Sequence, residues 1–127
     1  MDSEVAKEKG FDLEQRLIAF AVRVMKVAEA LPKTLAGQHV RGQILRSGTS
    51  PAPNYGEAQA AESRSDFIHK LKIVVKELRE TRVWLRMIRS AEMIEPAAKL
   101  EPLIAENNEL IAIFVKSIQT ATKNQAE

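Results

Sequence analysis

Apolar side chains return along this chain at intervals of three and four residues, and that rhythm predicts helices. Leu13, Leu17, Phe20, Val24, Val27 and Leu31 follow one another at steps of 4, 3, 4, 3 and 4, which lines up one face of an α-helix. Asp12-Leu13-Glu14-Gln15 reads as a capping box opening that helix. Pro32 closes it by pushing Leu31 away from α geometry. A second segment opens at Thr34, a plausible N-cap, and sets Val40, Ile44 and Leu45 on one side. It then meets Ser50-Pro51-Ala52-Pro53. Each proline lacks an N–H and clashes with the preceding turn, at about 3 kcal/mol inside a helix. The second helix is therefore expected to kink or break near Pro51 and Pro53 and to resume through Tyr55, Ala58 and Ala61.

The third segment has the clearest period. Phe67, Leu71, Val74, Leu78, Thr81, Leu85 and Ile88 alternate steps of 4 and 3, and Ser63-Arg64-Ser65-Asp66 opens them with a capping pattern. Helix is predicted over about 64–91. In the fourth segment Leu100, Leu103, Ile104, Leu110, Ile111, Phe114 and Ile118 form another helical face. A short turn is expected after Pro96, then helix from about Pro102 to Lys123. Asn107 falls within that apolar stripe, where a buried polar residue sets register. Residues 1–10 and 124–127 are expected to fray.

Four such helices with short connectors have one economical packing, an all-α, antiparallel, up-down-up-down four-helix bundle filling residues 1–127 as a single domain. Two or three helices with a long arm is the competing architecture. Composition agrees: 45% apolar and 28% charged residues describe an ordinary folded chain of 127 residues. Five glycines, five prolines and 5% aromatics do not suit a β-sandwich. The absence of cysteine excludes disulfides, thiolate metal sites and a cysteine nucleophile. No apolar run reaches the roughly 18 residues of a membrane span, and the first ten residues lack a signal-peptide core, so a cytoplasmic protein without membrane contact is expected.

The stretch Arg46–Trp84 carries a recognisable pattern. Arg46-Ser47, Ser50, Asn54-Tyr55, Glu57-Ala58, Glu62-Ser63, Asp66-Phe67-Ile68, Lys70-Leu71, Lys76-Glu77, Glu80-Thr81 and Trp84-Leu85 resemble the bacterial four helix bundle protein family, whose founding members are encoded in intervening sequences of 23S rRNA genes. The start FDLEQRLIAFAVRV, followed by Leu31-Pro32, is similar to the family's first helix. The resemblance implies a left-handed four-helix bundle, assembly into a homopentamer, and no established catalytic activity. A related, more basic branch serves as an accessory subunit of reverse transcriptases. The family usually has an apolar residue and alanine where this chain has Pro51 and Pro53.

Net charge becomes informative once it is divided along the chain. Residues 63–91 hold eight bases against three acids, while residues 92–127 hold six acids against three bases. On a helical wheel with Phe67 at zero, Arg64, Lys72, Lys76, Arg79, Arg82 and Arg86 fall between about 60° and 180°, and Asp66, Glu77 and Glu80 between about 220° and 280°. One reading is a solvated face whose bases pair with the acid-rich fourth helix or a neighbouring subunit. The other is a phosphate-binding ridge for RNA or DNA built from Lys72, Lys76, Arg79, Arg82 and Arg86. Scarce surface aromatics weigh against single-strand stacking.

Arg46, Asn54, Glu57, Lys70, Glu77 and Glu80 bracket the junction of the second and third segments. They are expected to form a polar network that fixes the kink and helix register, or a small binding groove beside the prolines. Ile73 and Trp84 make a second apolar strip, either extra core against the fourth helix or a subunit contact. Neither His39 nor His69 follows a glutamate at the spacing of di-iron bundles, so no metal or other cofactor is expected. Ser47, Thr49 and Ser50 have no histidine or aspartate arranged beside them in sequence for nucleophilic catalysis. The expectation is a non-catalytic, self-associating interaction or scaffold protein, with a nucleic-acid-binding accessory protein as the alternative.

Overall fold

The computed structural model describes the backbone of residues 3–126 and the side chains of residues 12–124. Its elements are α1 (Ser3–Ala30), α2 (Leu35–Thr49), α3 (Pro51–Gln59), α4 (Arg64–Ser90), a single 3-10 turn (Ala97–Leu100) and α5 (Glu101–Ala126). α2 and α3 are two halves of one helix bent at Ser50, so the chain forms a four-helix bundle. α1 packs against α2, α3 and α5, and α4 packs against the same three. The bent helix and α5 therefore separate α1 from α4, which stand at opposite corners. This is the arrangement that short connectors impose on antiparallel neighbours.

The predicted stripes are the core. Leu17, Phe20, Val24, Ile44, Val74, Leu78, Leu85, Ile88, Leu110 and Phe114 are wholly shielded from solvent, and Leu71 nearly so. Tyr55 on α3 meets Phe114 on α5 edge-on, with ring centroids 5.3 Å apart, a geometry that aligns ring edge with ring face. The caps at Thr34 and Ser63 form as expected: their hydroxyls accept the amide hydrogens of Gly37 and Asp66 at 3.1 and 3.0 Å.

Two boundaries differ from the sequence expectation, and the expected kink at the prolines is present. α1 begins at Ser3, so Asp12 lies within the helix, exposed, and caps nothing. The ends expected to fray are helical over 3–10 and 124–126, and residues 1, 2 and 127 lie outside the described residues. The prolines bend the second helix without unravelling it. Ser50 keeps helical angles, and Pro51 stands at the first position of α3, where the missing N–H had no partner to lose. The amide of Asn54 is the first to return to a carbonyl, that of Ser50, at 3.2 Å.

Two close approaches hold α1 against α2. A Cβ on Gly48 would lie 2.5 Å from Cγ1 of Val24, so only glycine lets the backbones come this near. Arg41 reaches back from α2 to the end of α1, donating to the carbonyls of Ala28 and Leu31 at 2.9 and 2.7 Å. Carbonyls at a helix end lack the amides that follow in the helix interior, and that of Ala28 otherwise accepts only the longer bond from the Leu31 amide, at 3.3 Å.

Candidate functional site

α4 presents one edge to α2 and α3 and the opposite edge to α5, and its polar residues divide accordingly. On the first edge Arg46 of α2 bridges two carboxylates, donating to Glu77 at 3.0 Å and to Glu80. Glu80 also accepts the indole N–H of Trp84 at 3.1 Å. Trp84 packs half-buried on the core and meets the ring of His39 edge-on at 6.0 Å. Beneath them, the Thr81 hydroxyl donates its one proton to the carbonyl of Glu77 at 2.8 Å and accepts from the hydroxyl of Ser47 at 2.9 Å, in a fully shielded contact. The result is a polar seam between α2 and α4 in which each buried group has a partner, the condition for burying charge without large loss.

The six residues expected to form one network are thus in three places. Arg46, Glu77 and Glu80 belong to the seam. Lys70 pairs with Glu57 at 3.1 Å, bridging α3 and α4. Asn54 turns back on its own helix, donating to the carbonyl and hydroxyl of Ser50 at 3.0 and 2.9 Å. Of the expected strip, Trp84 packs toward α2 and the ring of His39, and Ile73, on the same face of α4, is half-buried.

The other edge of α4 is organised differently. Lys72, Lys76, Arg79 and Arg86 are exposed and make no ion pair or hydrogen bond with any described residue. Arg82 donates to the side chain of Asn108 on α5 at 3.2 Å. The acids of the fourth helix do not neutralise this row. Glu106 and Glu109 both reach Arg16 on α1, at 2.7 and 3.4 Å, and Glu101 pairs with Arg89 at 3.0 Å. The bond to Glu106, with the nearby charge of Glu109, raises the pKa of Arg16 above its ordinary value against some loss from burial. Sequence alone did not reveal the Arg16 pairing, because its partners lie at the other end of the chain.

Lys72, Lys76 and Arg79 border an open groove of about 480 Å³ between the first half of α4 and the second half of α5. Its floor is Val75, Val115 and Ile118, with Gln119 on the far rim. A shallower depression of about 330 Å³ follows along α4 at Val83, Arg86, Met87 and Ser90. Asn107 is fully shielded between the helices. With its amide oriented to satisfy both groups, it donates to the carbonyl of Leu78 at 3.1 Å and accepts the amide hydrogen of Arg82 at 3.3 Å. It thereby ties α5 to one turn of α4 and fixes the register of the groove's two walls.

Exposed apolar side chains form two further strips. Ile18, Val22 and Met25 share one face of α1 at 42, 42 and 41% exposure, and Val83 and Met87 share one face of α4 at 45 and 48%. Among the described residues no group of three or more His, Asp or Glu side chains is placed to hold a metal ion. No helix among them is long and apolar enough to cross a membrane.

The sequence model of the 23S rRNA-intervening sequence protein family matches residues 9–116. Among solved structures, the chain is similar to the crystal structure of a protein of unknown function from the S23 ribosomal protein family of Bacteroides thetaiotaomicron. The two share 33% identity with a TM-score of 0.79, over 87% of this chain and 98% of that one. No curated protein matches.

Proposed function

The chain belongs to the 23S rRNA-intervening sequence protein family, and from that premise we propose that it is a non-catalytic protein that works by associating with copies of itself. The observation that carries this reading is the pair of exposed apolar strips, Ile18-Val22-Met25 on α1 and Val83-Met87 on α4. They lie on opposite corners of the bundle, so each copy offers two different surfaces. Contact between unlike surfaces is heterologous, and a heterologous contact closes into a ring when its rotation allows. The homopentamer implied by the family resemblance is such a ring.

Light scattering at about 10 µM tests this reading, a concentration at which a contact of only 8 kcal/mol is well populated. A ring of defined mass is expected, and Val22→Glu with Met25→Glu, both on exposed positions, should convert it to monomer. A monomeric parent protein overturns the reading.

A second reading rests on the row of cations that has no acidic partner among the described residues. Lys72, Lys76, Arg79 and Arg86, with Arg82, would bind RNA or DNA through backbone phosphates, as an accessory protein does. Such binding falls steeply as salt rises, by a slope set by the number of phosphates contacted. Lys76→Glu with Arg79→Glu should abolish it, and absence of binding at low salt removes it.

A further inference from the structure

The groove between α4 and α5 has an apolar floor that phosphate binding does not need. Val75 is buried and Val115 and Ile118 are half-buried, so part of this apolar surface still meets water. Among the described residues the charge around it has one sign. Lys72, Lys76 and Arg79 have no acidic partner among the described residues. From Leu110 to Asn124, α5 carries Lys116 and Lys123 and no acid. The nearest acids of α4, Glu77 and Glu80, are held by Arg46 on the opposite edge.

We infer that this groove receives an acidic amphipathic helix from a partner protein, its apolar side chains on Val75, Val115 and Ile118 and its carboxylates on Lys72, Lys76 and Arg79. The inference rests on the reading of the chain as an interaction protein. Two antiparallel helices leave a furrow parallel to their axes, and a third helix laid along it is the common way to fill one. From Lys72 to Arg79 the three cations cover seven helical steps, about 10 Å along the axis, which two turns of an incoming helix match with acids at every third or fourth position. The groove is within the range of sites that enclose most of a ligand, about 300–1,000 Å³. A nucleic-acid strand would neutralise the rim but leave the floor wet. An acidic helix satisfies both.

The test uses the full-length protein and fluorescent peptides of about 18 residues whose apolar seam is leucine, isoleucine or phenylalanine, flanked by glutamate. Three controls accompany them: scrambled peptides of equal composition, lysine-flanked twins, and an oligouridine RNA of about 20 nucleotides. By anisotropy, at least one seam peptide should bind with Kd on the order of 10 µM. Its scrambled and lysine counterparts should bind at least tenfold more weakly. Lys76→Glu with Arg79→Glu should weaken binding about tenfold or more through lost charge pairing. Ile118→Ser should weaken it several-fold through the floor. Equal binding of seam and scrambled peptides overturns the inference, as does RNA binding that needs Lys76 and Arg79 but ignores Ile118, or binding of no peptide. The oligomeric mass of each variant, read by light scattering, separates failure of the groove from failure of self-association, because the groove side chains are not those of the apolar strips.

Discussion

The two edges of α4 handle charge in opposite ways. On the α2 edge, Arg46 is held by Glu77 and Glu80, Trp84 by Glu80, and Ser47 by Thr81. On the α5 edge, Lys72, Lys76 and Arg79 stand over an apolar groove with no partner among the described residues. A single helix thus carries a seam whose polar groups stabilise the bundle and a row whose charges contribute little to it. The difference teaches that basic residues of similar spacing are not equivalent: what matters is whether a carboxylate on the neighbouring helix faces them. Substitutions on the first edge should therefore cost stability, and substitutions on the second should not.

The largest effect is expected beside the seam, at the crossing of α1 and α2. Gly48→Ala would drive a methyl group against Val24, which is fully shielded and, being β-branched, has little rotamer freedom to yield. Overpacking of this kind costs about 2–3 kcal/mol, seen as a lower midpoint in urea unfolding. Val24→Ala in the same chain should recover part of it, because the two sites share one space. Equal stability of Gly48→Ala and the parent would show that the two helices are not this close.

Next comes the seam itself. Arg46→Met leaves Glu77, whose side chain is only 11% exposed, beside Glu80 with no cation between them. The cost is about 1–2 kcal/mol, reduced from that of a fully buried pair because Arg46 is half-exposed. Adding Glu77→Gln should return some of the loss. A null result would make the seam a surface ornament and erase the contrast with the α5 edge.

Much of this architecture was legible in the chain, and the reasons it stopped being legible are physical. The stripe from Phe67 to Ile88 and the caps at Thr34 and Ser63 depend on spacing within one helix, which sequence records directly. The capping box at Asp12 was a local signal overridden by a helix that starts at Ser3. The bend at Pro51 and Pro53 was expected, but its mildness follows from Pro51 standing at the first position of α3. Pairings across helices were the least legible, because they depend on how each helix is rotated. Asn54, Glu57 and Lys70 looked like partners of Arg46, yet they bond elsewhere. Glu106 and Glu109 looked available to the basic edge, yet they face Arg16.

A smaller effect belongs to Tyr55, which lies behind both edges in the core. Burial pushes its phenol above the usual pKa of 10.0, only partly offset by the hydrogen bond from Gln59. With the folded pKa raised, the unfolded chain ionises first. The contribution of Tyr55 is intact below pH 10 and is lost as pH climbs through the folded value. Tyr55→Phe should therefore flatten the decline in stability above about pH 10, while the decline in Arg46→Met keeps the parental shape. Denaturation midpoints measured from pH 8 upward check this, and an unchanged slope in Tyr55→Phe would contradict it.

At the end of α4 the backbone offers a gain instead. Glu92 follows the helix in a left-handed conformation with φ of 53°, while the amides of Glu92 and Met93 close back on the carbonyls of Arg89 and Ile88 at 3.1 and 3.0 Å. This is the Schellman closure, in which glycine is usual. Glu92→Gly should stabilise the bundle by about 0.5–1 kcal/mol, less than Arg46→Met costs and opposite in sign.

The smallest expected change is the one that decides the comparison. Lys72→Met, Lys76→Met and Arg79→Met remove three exposed cations that have no partner among the described residues, so each should alter stability by less than about 0.5 kcal/mol. Removing like charges set side by side along a helix should even raise it slightly. A loss comparable to that of Arg46→Met, measured on the same protein, would mean that these cations already meet carboxylates across a contact between copies. The row would then be part of the assembly and closed to any further partner. No loss leaves three charges whose effect on the fold is negligible, and their contribution would then have to be sought in what the groove binds.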